Sequence, residues 1–437
     1  MVSGKESTVR RPRLAVTYHD ELLSPMDLTD SAAGEWDLVW VTDLARQQRR
    51  TARLLPRLGS IVDTGELGGD AVTRAVAEEA VDGVVAFTDD QVLLAARLTT
   101  ALGLVGHSHA TAAALTNKLW QRRVLAAAGV EVPPFVEIPT GATVAESLVL
   151  VEPVRFPAVL KPQHGAASRD TFYLDGLPAL RAVLSKLLDQ EGDGLREGFV
   201  LEGYLRDEVE LPSLGFASYV SVESLSRDGV FLPIAVTGNF PLAEAFRESG
   251  GFLPSALSAE RTAAVVNLAD RAAQALGVAH GALHTEIKLT PDGPRVLEVN
   301  GRVGGGAVAP LARKRTGVAL VAAAMRVALG QHLPSPGAAT HAGIDYHYRR
   351  QPPLLAGRLA GLSGLEEVRR LPSVEAVYPN RSPGDSSPAT STITSHLFSV
   401  AGVADGLEQL AGVPARVADL VTEHYEAADP VSADGPG

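Results

Sequence analysis

Apolar residues follow two different rhythms along this 437-residue chain. Over residues 1–115, short apolar runs alternate with helix-length segments. The runs are Leu14-Ala15-Val16-Thr17-Tyr18, Asp37-Leu38-Val39-Trp40-Val41, Ile61-Val62 and Gly83-Val84-Val85-Ala86-Phe87. That alternation predicts a small open parallel sheet of the doubly wound kind. No G-x-G-x-x-G follows the first run, so dinucleotide binding has no support. Residues 111–129 read as one helix, ended by Gly129, and Pro133-Pro134 marks a boundary.

From Phe156 the pattern shifts to strands such as Pro157–Lys161, Phe199–Glu202, Ser218–Glu223 and Val230–Ile234, with a helix over 259–276. This is an α+β pattern with a mainly antiparallel sheet. After about residue 335, strand-like pieces recur near Ile344–Tyr348 and Val374–Tyr378, with a turn at Arg381-Ser382-Pro383-Gly384-Asp385. The expected division is 1–115, 116–335 with a flap subdomain at about 135–205, and 336–428. Residues 429–437 read as a disordered tail.

Composition narrows the function. A net charge of −12 argues against nucleic acid as a partner. The absence of cysteine removes disulfides, thiolate metal sites and cysteine nucleophiles. No run approaches the ~20 apolar residues of a membrane span, and no apolar stretch follows the basic start, so the expected location is cytoplasmic. Six lysines stand against 33 arginines, 39 in all, so a lysine at a motif position carries more information than usual.

The chemistry concentrates near residue 290. His284-Thr285-Glu286-Ile287-Lys288 and Arg295-Val296-Leu297-Glu298-Val299-Asn300-Gly301-Arg302 flank a turn at Pro291–Pro294. Side chains alternate faces along a strand. His284, Glu286 and Lys288 therefore share one face, as do Glu298, Asn300 and Arg302, while Leu297 and Val299 are free to pack inward. Pairing the strands brings Glu286 and Glu298 together beside Asn300. Two carboxylates and an amide oxygen suit Mg²⁺; a solvated acidic hairpin is the plain alternative.

Other segments add to this. Lys161 ends an apolar strand and precedes Gln163-His164-Gly165-Ala166-Ala167-Ser168-Arg169-Asp170, a small-residue loop able to approach an anion. Lys118 lies on the polar face of its helix, and no P-loop motif is present. Phe199-Val200-Leu201-Glu202-Gly203-Tyr204-Leu205 runs toward an acidic stretch, Asp207–Glu210. Gly304-Gly305-Gly306 follows Arg302 and leaves room for a ligand. Each segment also has a bland reading as an ordinary loop, helix face or turn.

Taken in order, Leu115–Pro134, Ala158–Ser168, Phe199–Leu205 and His284–Gly306 resemble the ATP-grasp carboxylate–amine ligases. Val81–Asp90 through Gly106 is similar to their N-terminal domain. His284–Leu289 and Gly357–Asp385 are similar to the L-amino-acid ligase branch. The resemblance implies an ATP-grasp fold, α/β and α+β. It also implies an ADP-forming ligase that joins amino-acid-like acids to amines with ATP and two Mg²⁺ (or Mn²⁺), from small-molecule substrates, with a homodimer one compatible assembly.

By position, Lys118 and Lys161 would meet the ATP phosphates and the loop containing His164 and Ser168 would close over them. Glu202, Gly203, Tyr204 and Leu205 would hold the adenine, and Asp207 or Glu210 the ribose. Glu286, Glu298 and Asn300 would bind metal. Arg302 would act at the acyl centre, with Glu223, Gly304 and Gly305 at the substrate. Asn117, Arg169-Asp170 and Asn300 depart from the branch's usual residues. A carboxylase or purine-pathway ligase, and a non-catalytic nucleotide-binding protein, are the competing readings.

Overall fold

The computed structural model describes residues 10–151, 154–165, 169–191, 195–339, 341–354, 357–386 and 396–426. Ser168 and the 429–437 tail lie outside them. The first sheet consists of β1 (Arg13–Thr17), β2 (Asp37–Thr42), β3 (Ser60–Asp63) and β4 (Gly83–Ala86), all parallel in the order β3-β2-β1-β4. The predicted open parallel sheet is therefore present. Its strands read as continuous apolar runs because both faces are covered. Ala15 and Val39 pack with Val72, Val76 and Leu98 on one side. Leu14, Val16, Leu38 and Trp40 pack on the other with Leu28 and with Leu320–Ala328, a helix from much later in the chain.

A second sheet contains β5 (Phe135–Ile138), β6 (Ala158–Pro162), β7 (Phe172–Leu174) and β8 (Phe199–Gly203), antiparallel in the order β5-β8-β6-β7. The central sheet is larger. It is built from β9 (Tyr219–Arg227), β10 (Val230–Asn239), β11 (Gly250–Leu253), β12 (Gly281–Thr290), β13 (Gly293–Asn300) and β14 (Ile344–Arg350). After β15 (Arg358–Ser363), the strands β16 (Val374–Pro379) and β17 (Phe398–Ala404) join it. β18 (Thr422–Glu426) pairs with β15 alone. The central order is β13-β12-β9-β10-β11-β14-β17-β16, so strands from the last hundred residues continue the sheet that carries the acidic hairpin. Its main core runs along the helix Ala259–Ala275 and includes Val265, Leu268, Ala269 and Ala272, against Val220, Val222, Ile287 and Val299.

The helix expected over 111–129 is two helices, His109–Thr116 and Lys118–Ala127. They break at Asn117, whose backbone is extended (φ −119°, ψ 113°) and whose side-chain oxygen accepts from the Trp120 amide at 2.8 Å. An asparagine N-cap satisfies an orphan amide and so favours a new start over continuation. Lys118 becomes the first residue of the second helix.

Candidate active site

Three segments bring the lysines and acids to one cavity of about 1020 Å³. The break at Asn117 delivers Lys118, β6 delivers Lys161, and the β12–β13 hairpin delivers the acids. Glu286 and Glu298 are direct cross-strand partners, as are His284 and Asn300, which is the expected pairing. Lys118 Nζ lies 2.9 Å from Glu298 and donates to the Gly165 carbonyl at 2.6 Å. Burial alone would raise the Glu298 carboxyl, but Lys118, Lys161 and Arg122 outweigh it and hold the group down at about 2. Glu202 is fully enclosed by Lys161 (2.8 Å) and Arg122 (2.7 Å). Its own burial opposes ionisation, yet those two cations keep its pKa below the usual range, while burial lowers that of Lys161.

One expectation fails at residue resolution. Leu297 does not pack inward with Val299; the pairing shifts between Glu286 and Ile287, so Ile287 faces Val296 and Leu297 is the extra residue. This bulge sends Val296 and Val299 into the core and leaves Leu297 on the cavity wall. Val159, Tyr173, Tyr204 and Leu205 line the same cavity and add apolar and aromatic surface to it. The Gly203 and Tyr204 amides already donate to Pro134 O and Pro157 O, at 2.8 and 2.9 Å.

The remaining positions sort by place. Asp207 lines the cavity and pairs with Lys288. Glu210 does not reach it: it is exposed and drawn to Arg261 on the helix Ala259–Ala275. His164 is exposed and does not line the cavity; it lies 3.3 Å from the Asn117 side-chain nitrogen, while Gly165 and Arg169 line the wall. Asn300 uses its nitrogen on the His284 carbonyl at 3.4 Å, which leaves its oxygen as a donor to a cation. Glu286, Glu298 and Asn300 are thus an all-oxygen set suited to a hard divalent ion.

Glu223 is not on the cavity wall. It is 1% exposed, and its Oε1 lies 2.6 Å from His284 Nδ1. A Cβ on Gly304 would come 2.7 Å from His284 Nδ1 and 2.8 Å from Glu223 Oε2, so Gly304 lies over that pair. Burial would lower the His284 pKa, but Glu223 and Glu286 raise it to about 10. Gly305 lies on the wall against Leu22. Arg302 is also on the wall, 8% exposed, and gripped by Asp89 at the start of the helix Asp89–Leu102. Sequence reading missed Asp89 because nothing local links it to residue 302.

Residues 253–336 match the family described as "Carbamoyl-phosphate synthase L chain, ATP binding domain". The L-amino acid ligase of Bacillus licheniformis superimposes with a TM-score of 0.76 at 21% identity, over 96% of this chain and 100% of its own. The chain has the ATP-grasp fold. A carboxyaminoimidazole ribonucleotide synthase from Aspergillus clavatus, solved with ATP, superimposes at 0.69 and 14% identity, over 94% and 99%. In sequence, 74 residues (17% of this chain) are 43% identical to carnosine synthase 1 of Gallus gallus. The matches cover 8% and 42% of the lengths of the two curated relatives. Among the described residues no helix is long and apolar enough to cross a membrane.

Proposed function

We propose that this ATP-grasp protein is an ADP-forming ligase that activates a carboxylate as an acylphosphate and joins it to an amine, with amino-acid-like substrates. The observation that carries the reading is the convergence of Lys118, Lys161, Glu286, Glu298 and Asn300 on one cavity that is also lined by apolar and aromatic side chains. Phosphoryl transfer needs positioning and charge neutralisation more than covalent help, and these residues offer both. Bound Mg²⁺ would neutralise phosphate charge and orient the γ-phosphoryl group. Lys118 and Lys161 would hold phosphate oxygens, exchanging part of their present pairing with Glu298 and Glu202.

A carboxylate oxygen of the acid attacks the γ-phosphorus and the bond to the β-phosphate oxygen breaks, giving acylphosphate and ADP. The amine nitrogen then attacks the acyl carbon, the carbon–oxygen bond to phosphate breaks, and phosphate leaves with the electron pair as the amine loses a proton. Arg302, on the same wall, would stabilise the oxyanion formed in between.

Support for amino-acid substrates comes from the higher structural likeness to the L-amino acid ligase and from the carnosine synthase match. The test is incubation with MgATP and all pairs of the common amino acids, reading phosphate release and amide mass. Release that depends on bicarbonate and an amine, with no amino-acid pair active, would favour the purine-pathway type of reaction, whose enzymes share the fold.

A further inference from the structure

Strand β14 adds a cation that the reading above does not use. Ile344, Tyr346 and Tyr348 point from this strand into the core, while His347 and Arg349 on the other face line the cavity. Arg349 is 8% exposed, and its Nε is buried with no hydrogen-bond partner. Its ion pair with Glu248 is loose, 3.6 Å from Nη1 to a carboxylate that is itself mostly exposed.

A Cβ on Gly306 would fall 1.7 Å from Arg349 Nη2. The guanidinium therefore rests on the glycine turn that follows Arg302. Arg302 has its charge met by Asp89 at 2.8 Å, so of these two arginines Arg349 has the donors to spare. His347 next to it is held neutral, with a pKa of about 3, first by burial and then by Arg349 itself. A buried guanidinium with an unused donor is costly unless an anion completes it.

The position identifies that anion. The acid being activated must lie at the lysines and acidic hairpin. Arg349 lines the same cavity from a different strand, β14, and packs on Gly306, four residues beyond Arg302. We propose that Arg349 binds the free carboxylate of the amine-donating substrate, making the acceptor an amino acid or peptide with an unblocked C-terminus. This rests on the ligase reading above.

The test supplies the full-length protein with MgATP, donor amino acids, and either the common L-amino acids or their carboxamides as acceptors. Wild type should lose at least ~30-fold in kcat/KM when the acceptor carboxylate becomes an amide. Arg349→Gln should lower free-acid acceptors to the carboxamide level while leaving carboxamide rates and the ATP KM unchanged, and Arg349→Lys should restore part of the preference. Equal use of acids and carboxamides by wild type, or a preference that survives in Arg349→Gln with an unchanged melting temperature, would overturn the assignment. If no pairing releases ADP, the ligase reading falls and takes this assignment with it. Ligation without acid preference overturns the assignment alone.

Discussion

Nε and Nη2 of Arg302 both approach the same oxygen of Asp89, at 2.9 and 2.8 Å, across 213 residues of sequence. The other Asp89 oxygen is buried without a partner. Burial would lower the Arg302 pKa, but Asp89 more than offsets it. The arginine is thus held in one orientation by the first residue of the helix Asp89–Leu102. Arg302→Ala should bind ATP nearly normally and ligate at least ~100-fold more slowly, the scale of a lost oxyanion donor. Arg302→Lys keeps charge without the fork and should recover only part of the rate. Asp89→Asn should lower kcat with little change in the ATP KM. Wild-type turnover in Arg302→Ala would remove this residue from the mechanism.

Glu298→Gln keeps the shape of the hairpin and removes one negative charge from between Lys118 and Lys161. Ligation should be lost with the fold retained, as read by product formation and by circular dichroism. Near-normal turnover across a Mg²⁺ titration would show that the hairpin does not hold the metal.

Asn117 both ends one helix and caps the next. Asn117→Ala should cost ~1 kcal/mol in urea unfolding, the usual worth of such a cap, and raise the ATP KM through displacement of Lys118. Asn117→Asp retains a cap acceptor and should change neither much. An unaltered ATP KM in an Asn117→Ala protein that has lost that stability would separate the cap from nucleotide binding.

His107 is partly buried against Gly281 and Gly301, and desolvation, with His280, lowers its pKa to about 4. Unfolded, it titrates near 6.5. As pH falls from 6.5 toward 4 the unfolded chain gains a proton that the native protein refuses, so stability is lost with acidification and regained on raising the pH. The slope approaches ~1.4 kcal/mol per pH unit for one proton. His107→Gln should remove about that much of the slope between pH 6 and 4.5 in urea titrations, leaving the similar contribution of His347. An unchanged slope would mean that His107 is protonated in the native state.

The parallel sheet was legible because strands buried on both faces are apolar along their middles, as Leu14–Val16 and Leu38–Val41 are. The acidic hairpin was legible because Glu286, Glu298 and Asn300 lie beyond the bulge, where the strands keep their period. Leu297 was misread because period two assumes an unbroken ladder, and a bulge adds a residue without changing composition. Asn117 was absorbed into a helix because its cap is visible only once its side chain is placed. Glu210 reads as a ribose candidate in the sequence because Arg261, which draws it away, lies 51 residues further on. Asp89 and Arg349 were invisible for the same reason: their partners, Arg302 and the turn at Gly306, lie far from them along the chain.

The central claim is that a carboxylate oxygen passes to phosphate through an acylphosphate. It is tested most directly with an ¹⁸O-labelled amino-acid donor, MgATP and an accepting amino acid, with the phosphorus products read by mass spectrometry and ³¹P NMR. One labelled oxygen should appear in inorganic phosphate for each amide formed, with ADP as the stoichiometric nucleotide product. Label in AMP with release of pyrophosphate, or unlabelled phosphate alongside amide, would contradict the account.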